Sequence, residues 1–298
     1  MGATKKTTKT LHVPRRLKEL LTYLWGPGRT GTAAVLLLIF FTSGVVAVWR
    51  HVRPHVLASG QYTVAQEKVL ITPLPNWIHA DVRAEVFRDA SLDGPLSILD
   101  DDLSERLYEA FSLHPWVAKV QQVRRRSPAR VEVELVYRRP VCMVDVPGEP
   151  LPVDADGVLL PNGDFSPVEK NAYPHLMGID TVPMGPVGQR WGDGRVAGGA
   201  EIAAALAAVW QQLKLDRIVP ATHLAMAANA EPTYLLYTRG GTRIVWGLAP
   251  GSKAPEEAPA AEKVGRLLQY VADHGTLDGR GGPQELDIHT LPALRTKS

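Results

Sequence analysis

The longest apolar run in the chain extends from Thr32 to Trp49 and contains no charged side chain. At 1.5 Å rise per residue, a helix over this run is ~27 Å long, close to the ~30 Å hydrocarbon core of a bilayer. Arg29 and Arg50 bracket it, and Trp49 stands where an interfacial aromatic is favoured. The pattern predicts a single transmembrane helix over residues 32–49; a buried core helix is the competing reading. Ala33, Ala34, Ser43, Gly44 and Ala47 would permit close approach of a second helix.

Downstream of a juxtamembrane connector (50–60), shorter periods take over. Tyr62 to Thr72 is predicted as a strand ended by Pro73 and Pro75. Residues 79–90 place Val82, Val86 and Phe87 on one helical face, and Gly94-Pro95 makes a turn. Leu103 to Ser112 is a second helix with the stripe Leu103, Leu107, Ala110 and Phe111. Val120 to Arg126 and Arg130 to Tyr137 form a hairpin across Ser127-Pro128. In its second strand Val131, Val133, Leu135 and Tyr137 face one way, and Glu132 and Glu134 the other. Residues 61–138 therefore read β-α-α-β-β, two helices on one face of a three-stranded sheet.

From Arg139 the pattern changes to short strands and turn residues. Val153 to Leu159 is a strand, a turn and a strand, and residues 178–199 form a long Gly- and Pro-rich loop. Ala200 to Lys214 is a helix with Ile202, Leu206, Val209 and Leu213 on one face. Thr233 to Thr238 and Arg243 to Gly247 form a hairpin, and residues 249–261 an exposed, mobile link. Glu262 to His274 is a helix with Val264, Leu267, Leu268 and Val271 inward, stopped by Gly275. Leu286 to Leu291 is a final strand, and 292–298 a short tail. The fold class is α+β: a transmembrane helix, the β-α-α-β-β module, and a mainly antiparallel β-domain over 139–291 with two flanking helices.

Charge adds a direction. Residues 1–31 carry seven cations against Glu19 alone, whereas the whole chain has a formal charge of +2. The positive-inside rule places this basic tail in the cytoplasm and the bulk of the chain outside it, as for a single-pass inner-membrane protein. Leu17, Leu20, Leu21 and Leu24 leave two readings of the tail open, an amphipathic helix on the anionic leaflet or a solvated segment. A cleaved signal peptide is the rival to the membrane anchor. The basic tail and the length of the apolar run argue against it, and no Cys follows the lipoprotein-like Leu57-Ala58-Ser59-Gly60. The single Cys142 excludes an internal disulfide and a Cys-based zinc or iron–sulfur site.

Candidate chemistry is sparse. The nine histidines include no HExxH pair, and Gly-x-Ser-x-Gly and Ser-x-x-Lys are absent. His114 reads as a loop or cap residue and His289 as a surface or partner contact. Asp100-Asp101-Asp102 reads as a helix cap with two further favourable charges, rather than a cation site. Asp154-Ala-Asp-Gly157 reads as a turn, because the later ligands of a calcium loop are missing. Gly192, Gly194 and Gly198 make no dinucleotide fingerprint. Glu256-Glu257 falls in the predicted link, too mobile for acid–base geometry. Arg124-Arg125-Arg126 with Arg130 is a basic patch on a hairpin end, read as solvated rather than as binding nucleic acid. The composition thus points to no enzyme, no cofactor, no metal site, no small-molecule substrate and no nucleic acid.

Several segments in order carry a resemblance: Leu99-Asp-Asp-Asp-Leu103, His114-Pro-Trp-Val117, Val123-Arg-Arg-Arg-Ser-Pro128, Val131-Glu-Val-Glu-Leu-Val-Tyr-Arg-Arg-Pro-Val141, Val153-Asp-Ala-Asp-Gly-Val158, Pro174-His-Leu-Met-Gly178, Gly240 to Gly247 and Lys263 to Leu267. Together they resemble the FtsQ/DivIB family of bacterial cell-division proteins over roughly residues 60–290. The resemblance implies a POTRA domain, with Pro115, Trp116, Val117, Arg138, Arg139 and Pro140 as its motif. It also implies a β-domain whose last strands bind FtsB- and FtsL-like membrane partners by strand addition. That role would fall on Leu286, Asp287, Ile288, His289 and Thr290, with Glu285 to Leu291 as the open edge. The sequence departs from the family pattern at Tyr137 for a Glu, at Cys142 for an Ala, and at Asp287-Ile-His-Thr290 for "DLRY". A scaffold at the division site is the implied function. A tethered envelope enzyme or cell-wall ligand binder is the alternative, and a POTRA-bearing outer-membrane assembly partner a third, lacking the POTRA repeats or barrel such chains carry.

Overall fold

A computed structural model describes residues 29–58, 62–92, 94, 96–221, 231–252, 254, 257–279, 284–289 and 295–297. The basic tail before Arg29, Thr290 and Leu291 lie outside them. The chain divides into two units, Met1–Thr63 and Val64–Ser298.

The first unit contains one described helix, α1 (Arg29–Ala58), of 30 residues. Its segment Ala33–Val52 is long and apolar enough to cross a membrane, and none of it is buried. The large side chains from Val35 to Val52, Phe40 and Phe41 among them, are exposed. The hydroxyl of Thr42 donates to the carbonyls of Leu38 (2.8 Å) and Ile39 (3.0 Å), so the polar group in the middle of the run is satisfied within the helix. The predicted connector at 50–60 is helical over most of its length. The helix continues to Ala58 and passes through Pro54.

The second unit begins with the two predicted helices and three-stranded sheet, but its elements are shorter and a further strand stands between the helices. The single strand expected over 62–72 is instead β1 (Thr63–Val64), a 3-10 turn at Gln66–Lys68, and β2 (Val69–Ile71). Helix α2 spans Val82–Asp89, and the side chain of Asp81 accepts from the Ala84 N–H (3.1 Å) as its N-cap. Strand β3 (Leu96–Ser97) pairs with β1. Helix α3 spans Leu103–Ser112 as predicted, but the Asp102 at its N-cap makes no side-chain capping bond. Strands β4 (Val117–Arg126) and β5 (Arg130–Tyr137) form the hairpin. Strand β2 adds parallel to β5, giving the order β2-β5-β4. Val131, Val133 and Leu135 are buried with Val86, Phe87, Leu107 and Phe111 from the helices. Glu132 and Glu134 pair with Arg126 (3.1 Å) and Arg124 (2.7 Å) on the other face.

The remainder is an eight-stranded mixed sheet. Its strands are β6 (Pro140–Val144), β7 (Leu151–Asp154), β8 (His175–Leu176), β9 (Leu215–Pro220), β10 (Thr233–Thr238), β11 (Arg243–Leu248), β12 (Glu285–Asp287) and β13 (Arg295–Lys297), in the order β13-β12-β11-β10-β9-β8-β6-β7. The pairs β6–β8, β8–β9 and β11–β12 are parallel and the other four antiparallel, so the sheet is less uniformly antiparallel than the pattern predicts. A four-residue helix α4 (Pro167–Lys170) opens with a complete capping box between Ser166 and Glu169. Helices α5 (Gly194–Leu206) and α6 (Ala260–His274) contribute Val196, Ala203, Leu206 and Leu267 to one core with Leu176, Tyr234, Leu236, Trp246 and Leu286.

The helix predicted over 200–214 is shifted. It starts at Gly194, where the Asp193 side chain caps it by accepting from the Arg195 N–H (2.8 Å), and it ends at Leu206. Its glycines read as loop residues, but they allow a close approach to the sheet. A Cβ on Gly199 would lie 2.7 Å from Leu176, and one on Gly198 would collide with the Tyr234 hydroxyl. Strand β9 has no counterpart in the sequence reading. Helix α6 matches, and ends on Gly275 at φ +83°.

Candidate functional site

Two sets of predicted residues can be followed in the second unit. The POTRA-motif set sits where the three-stranded module meets the larger sheet. Trp116 is fully buried, and its indole N–H donates to the Asp164 carboxylate (2.7 Å). Its ring lies 6.0 Å from that of Phe165. His79 Nδ1 approaches the Asp164 carbonyl (2.8 Å), and Trp77 donates its indole N–H to the Arg138 carbonyl (3.1 Å). The Arg138 guanidinium binds the Asp154 carboxylate (2.7 Å). The other Asp154 oxygen accepts from the N–H groups of Asp156 (3.0 Å) and Val158 (2.9 Å). Asp-x-Asp-Gly is thus a turn, as predicted, whose first Asp also anchors the seam. Pro115 meets Gly188, which takes φ +93°. Val117 and Pro140 are buried at strand starts. Arg139 is exposed, its guanidinium 5.9 Å from the Trp77 ring centroid. Apart from the exposed Arg139, the motif therefore holds the seam together. The tryptophan is desolvated, and the Arg138–Asp154 pair is largely so, with 16% and 7% of the side chains exposed.

The partner-binding set lies at the other end of the sheet. Leu286 and Ile288 point into the core, at 0% and 1% exposure. Asp287 and His289 are half-buried and bonded to each other, His289 Nδ1 lying 2.5 Å from the Asp287 carboxylate. Strand β12 is not the edge. It lies parallel to β11 on one side and antiparallel to β13 on the other, with Leu286 opposite Thr296. The physical reason is that residues expected to form a tail contribute a further strand, which moves the end of the sheet outward to β13. Among the described residues no strand pairs with the far side of β13.

Beside this end lies an arrangement that the sequence reading missed. Strand β11 runs past the end of β12, and the carbonyl of its Trp246 accepts from the Lys263 ammonium of α6 (2.8 Å). Lys263 also pairs with Glu257, whose carboxylate accepts from the Leu248 N–H (2.9 Å). Burial lowers the Lys263 pKa, and Glu257 partly offsets this. Glu257 is 13% exposed at its side chain, so this part of the predicted mobile link is anchored. The signal in the sequence was a Lys at an inward helical position, three residues after Ala260.

Other titratable groups follow from burial. The Cys142 thiol is fully buried and its pKa is pushed up by desolvation and by Asp154, which makes it a core residue. Burial raises the Tyr137 phenol to about 12, and its hydroxyl donates to the Thr72 carbonyl (2.6 Å). No group of three or more His, Cys, Asp or Glu side chains that could hold a metal ion occurs among the described residues. No protein-family model matches the chain, and no curated protein matches it.

Proposed function

We propose that the chain is a membrane-anchored scaffold of bacterial cell division, of the FtsQ/DivIB type. The basic tail would face the cytoplasm, with the second unit outside the inner membrane. A POTRA-like module would localise the protein, and the β-domain would recruit FtsB- and FtsL-like partners. The observation that carries this reading is the end of the eight-stranded sheet, where β13 offers an edge with no strand partner among the described residues. Such an edge suits strand addition by an extended partner segment. Two helices with a three-stranded sheet of order β2-β5-β4 support it further, as does one apolar helix ahead of both modules.

The test combines a fluorescent fusion with pull-down of envelope proteins. The fusion is expected to gather at midcell during constriction, and the pull-down to recover small coiled-coil membrane proteins. Replacing Thr296 by Pro removes the β13 N–H that faces away from β12 and is expected to abolish that recovery while leaving the thermal midpoint of the second unit within a few degrees. An even membrane distribution, or recovery undiminished by Thr296→Pro, refutes the reading.

A further inference from the structure

A cleft of about 310 Å³ opens beside the seam, between the loop after β2, the junction of β5 with β6, and the turns after α5. Its volume is at the lower end of the range for small-molecule sites. Three aromatic rings face it, Trp77, Tyr173 and Trp210, with Asn76, Arg139 and Gln211 between them. No Asp or Glu lines it.

The walls are fixed from outside the cleft. Trp77 is tied through its indole N–H to the Arg138 carbonyl (3.1 Å). Gln211 is held by Arg239 (2.8 Å) and by the Ala172 carbonyl (3.4 Å). Trp210 is buried to 3% exposure. In contrast, the side chains of Asn76, Arg139 and Tyr173 make no hydrogen bond or ion pair with any described residue. The cleft thus offers ring faces, a surplus of donors and one free positive charge, in a frame that needs no reordering.

We infer that the cleft binds a small acceptor-rich ring ligand bearing one carboxylate, of the class of acidic N-acyl sugars. The flat rings of Trp77 and Tyr173 suit the apolar face of a pyranose. The Arg139 guanidinium suits a carboxylate, which it can meet with two parallel N–H bonds. Asn76 and the Tyr173 hydroxyl suit hydroxyl and acyl oxygens. Burial raises the Tyr173 pKa, so its hydroxyl remains a donor at neutral pH. A cation is disfavoured by the absence of carboxylates. This inference stands apart from strand addition at β13, since the two surfaces share no residue.

The experiment uses the full chain in nanodiscs, titrated with N-acetylmuramic acid and with N-acetylglucosamine, which has the same ring and acetamide but no carboxylate. Calorimetry is expected to show saturable binding of the acidic sugar, roughly tenfold or more tighter than the neutral one. Arg139→Gln is expected to bring the acidic sugar down to the affinity of the neutral one, with the neutral sugar and the melting temperature unchanged. Arg139 is exposed and unpaired, so the replacement leaves the fold intact. Equal affinity for the two sugars, no saturation into the millimolar range, or indifference to Arg139→Gln overturns the assignment. So does tighter binding of a proline-rich peptide than of either sugar.

Discussion

In the three-stranded sheet, Val131, Val133 and Leu135 of β5 are buried while Glu132 and Glu134 pair with arginines across the hairpin. In the eight-stranded sheet, every residue of β6 from Pro140 to Val144 is buried. The first sheet has one wet face, and its side-chain alternation is written into the residue pattern. The second shares its core with two helices, and β6 shows a continuous apolar run with no period of two. The difference teaches where each sheet stores its specificity. The small module depends on which face a side chain takes. The large sheet depends on close approach, on buried charge and on short parallel strands such as β8.

The sharpest way to break the large sheet is Ile288→Asp. The side chain is 1% exposed, and a carboxylate there would lie in the core without a partner. A loss of at least ~3–5 kcal/mol is expected, enough to remove the cooperative transition in urea. Glu132→Ala, on the wet face of the small sheet, should move the same midpoint by less than ~1 kcal/mol. Equal effects would mean that the two sheets do not differ as described.

A middle-sized effect tests close approach. Gly198→Ala adds one methyl against the Tyr234 hydroxyl and is expected to cost ~1–3 kcal/mol. Adding Tyr234→Phe removes the obstructing oxygen and should recover part of that loss in thermal unfolding. A stable single mutant would show that α5 can lift from the sheet freely.

The smallest effect concerns pH. His175 of β8 binds Asp145 (2.7 Å), and that bond raises its pKa above the usual histidine value, while burial opposes the shift. Its contribution is fully present below the unfolded pKa of about 6.5 and is lost as pH rises through the higher folded value. His175→Gln should therefore narrow the stability gap to the parent chain as pH rises from 6 to 8, by under ~1 kcal/mol. A gap that widens over this range would contradict the pairing.

The legibility of the chain follows the same division. Helix α3 and the hairpin β4–β5 were readable because each has one wet face with a clear period. Helix α5 was misplaced because Gly194, Gly198 and Gly199 argue for a loop until the nearness of Leu176 and Tyr234 is known. Strand β9, with Asp216 and Arg217 side by side, shows no clean alternation, and the three residues of β13 are too few to show a period. At the seam, Trp116, Arg138 and Arg139 stood out in the sequence as a motif. Asp154 reads there only as a turn residue and Asp164 carries no signal, because contacts 16 and 48 residues apart leave no local pattern.

The pairing of Lys263 with Glu257 carries a consequence for descent. Each side chain loses its charge partner when the other is replaced. Loss of Lys263 strands a carboxylate and the Trp246 carbonyl, and loss of Glu257 strands an ammonium and the Leu248 N–H. Either change alone lowers fitness of the fold, whereas replacing both with apolar residues removes both charges together. Lineages should thus cross between the charged and the apolar solution in one double step, leaving the two positions to change in concert.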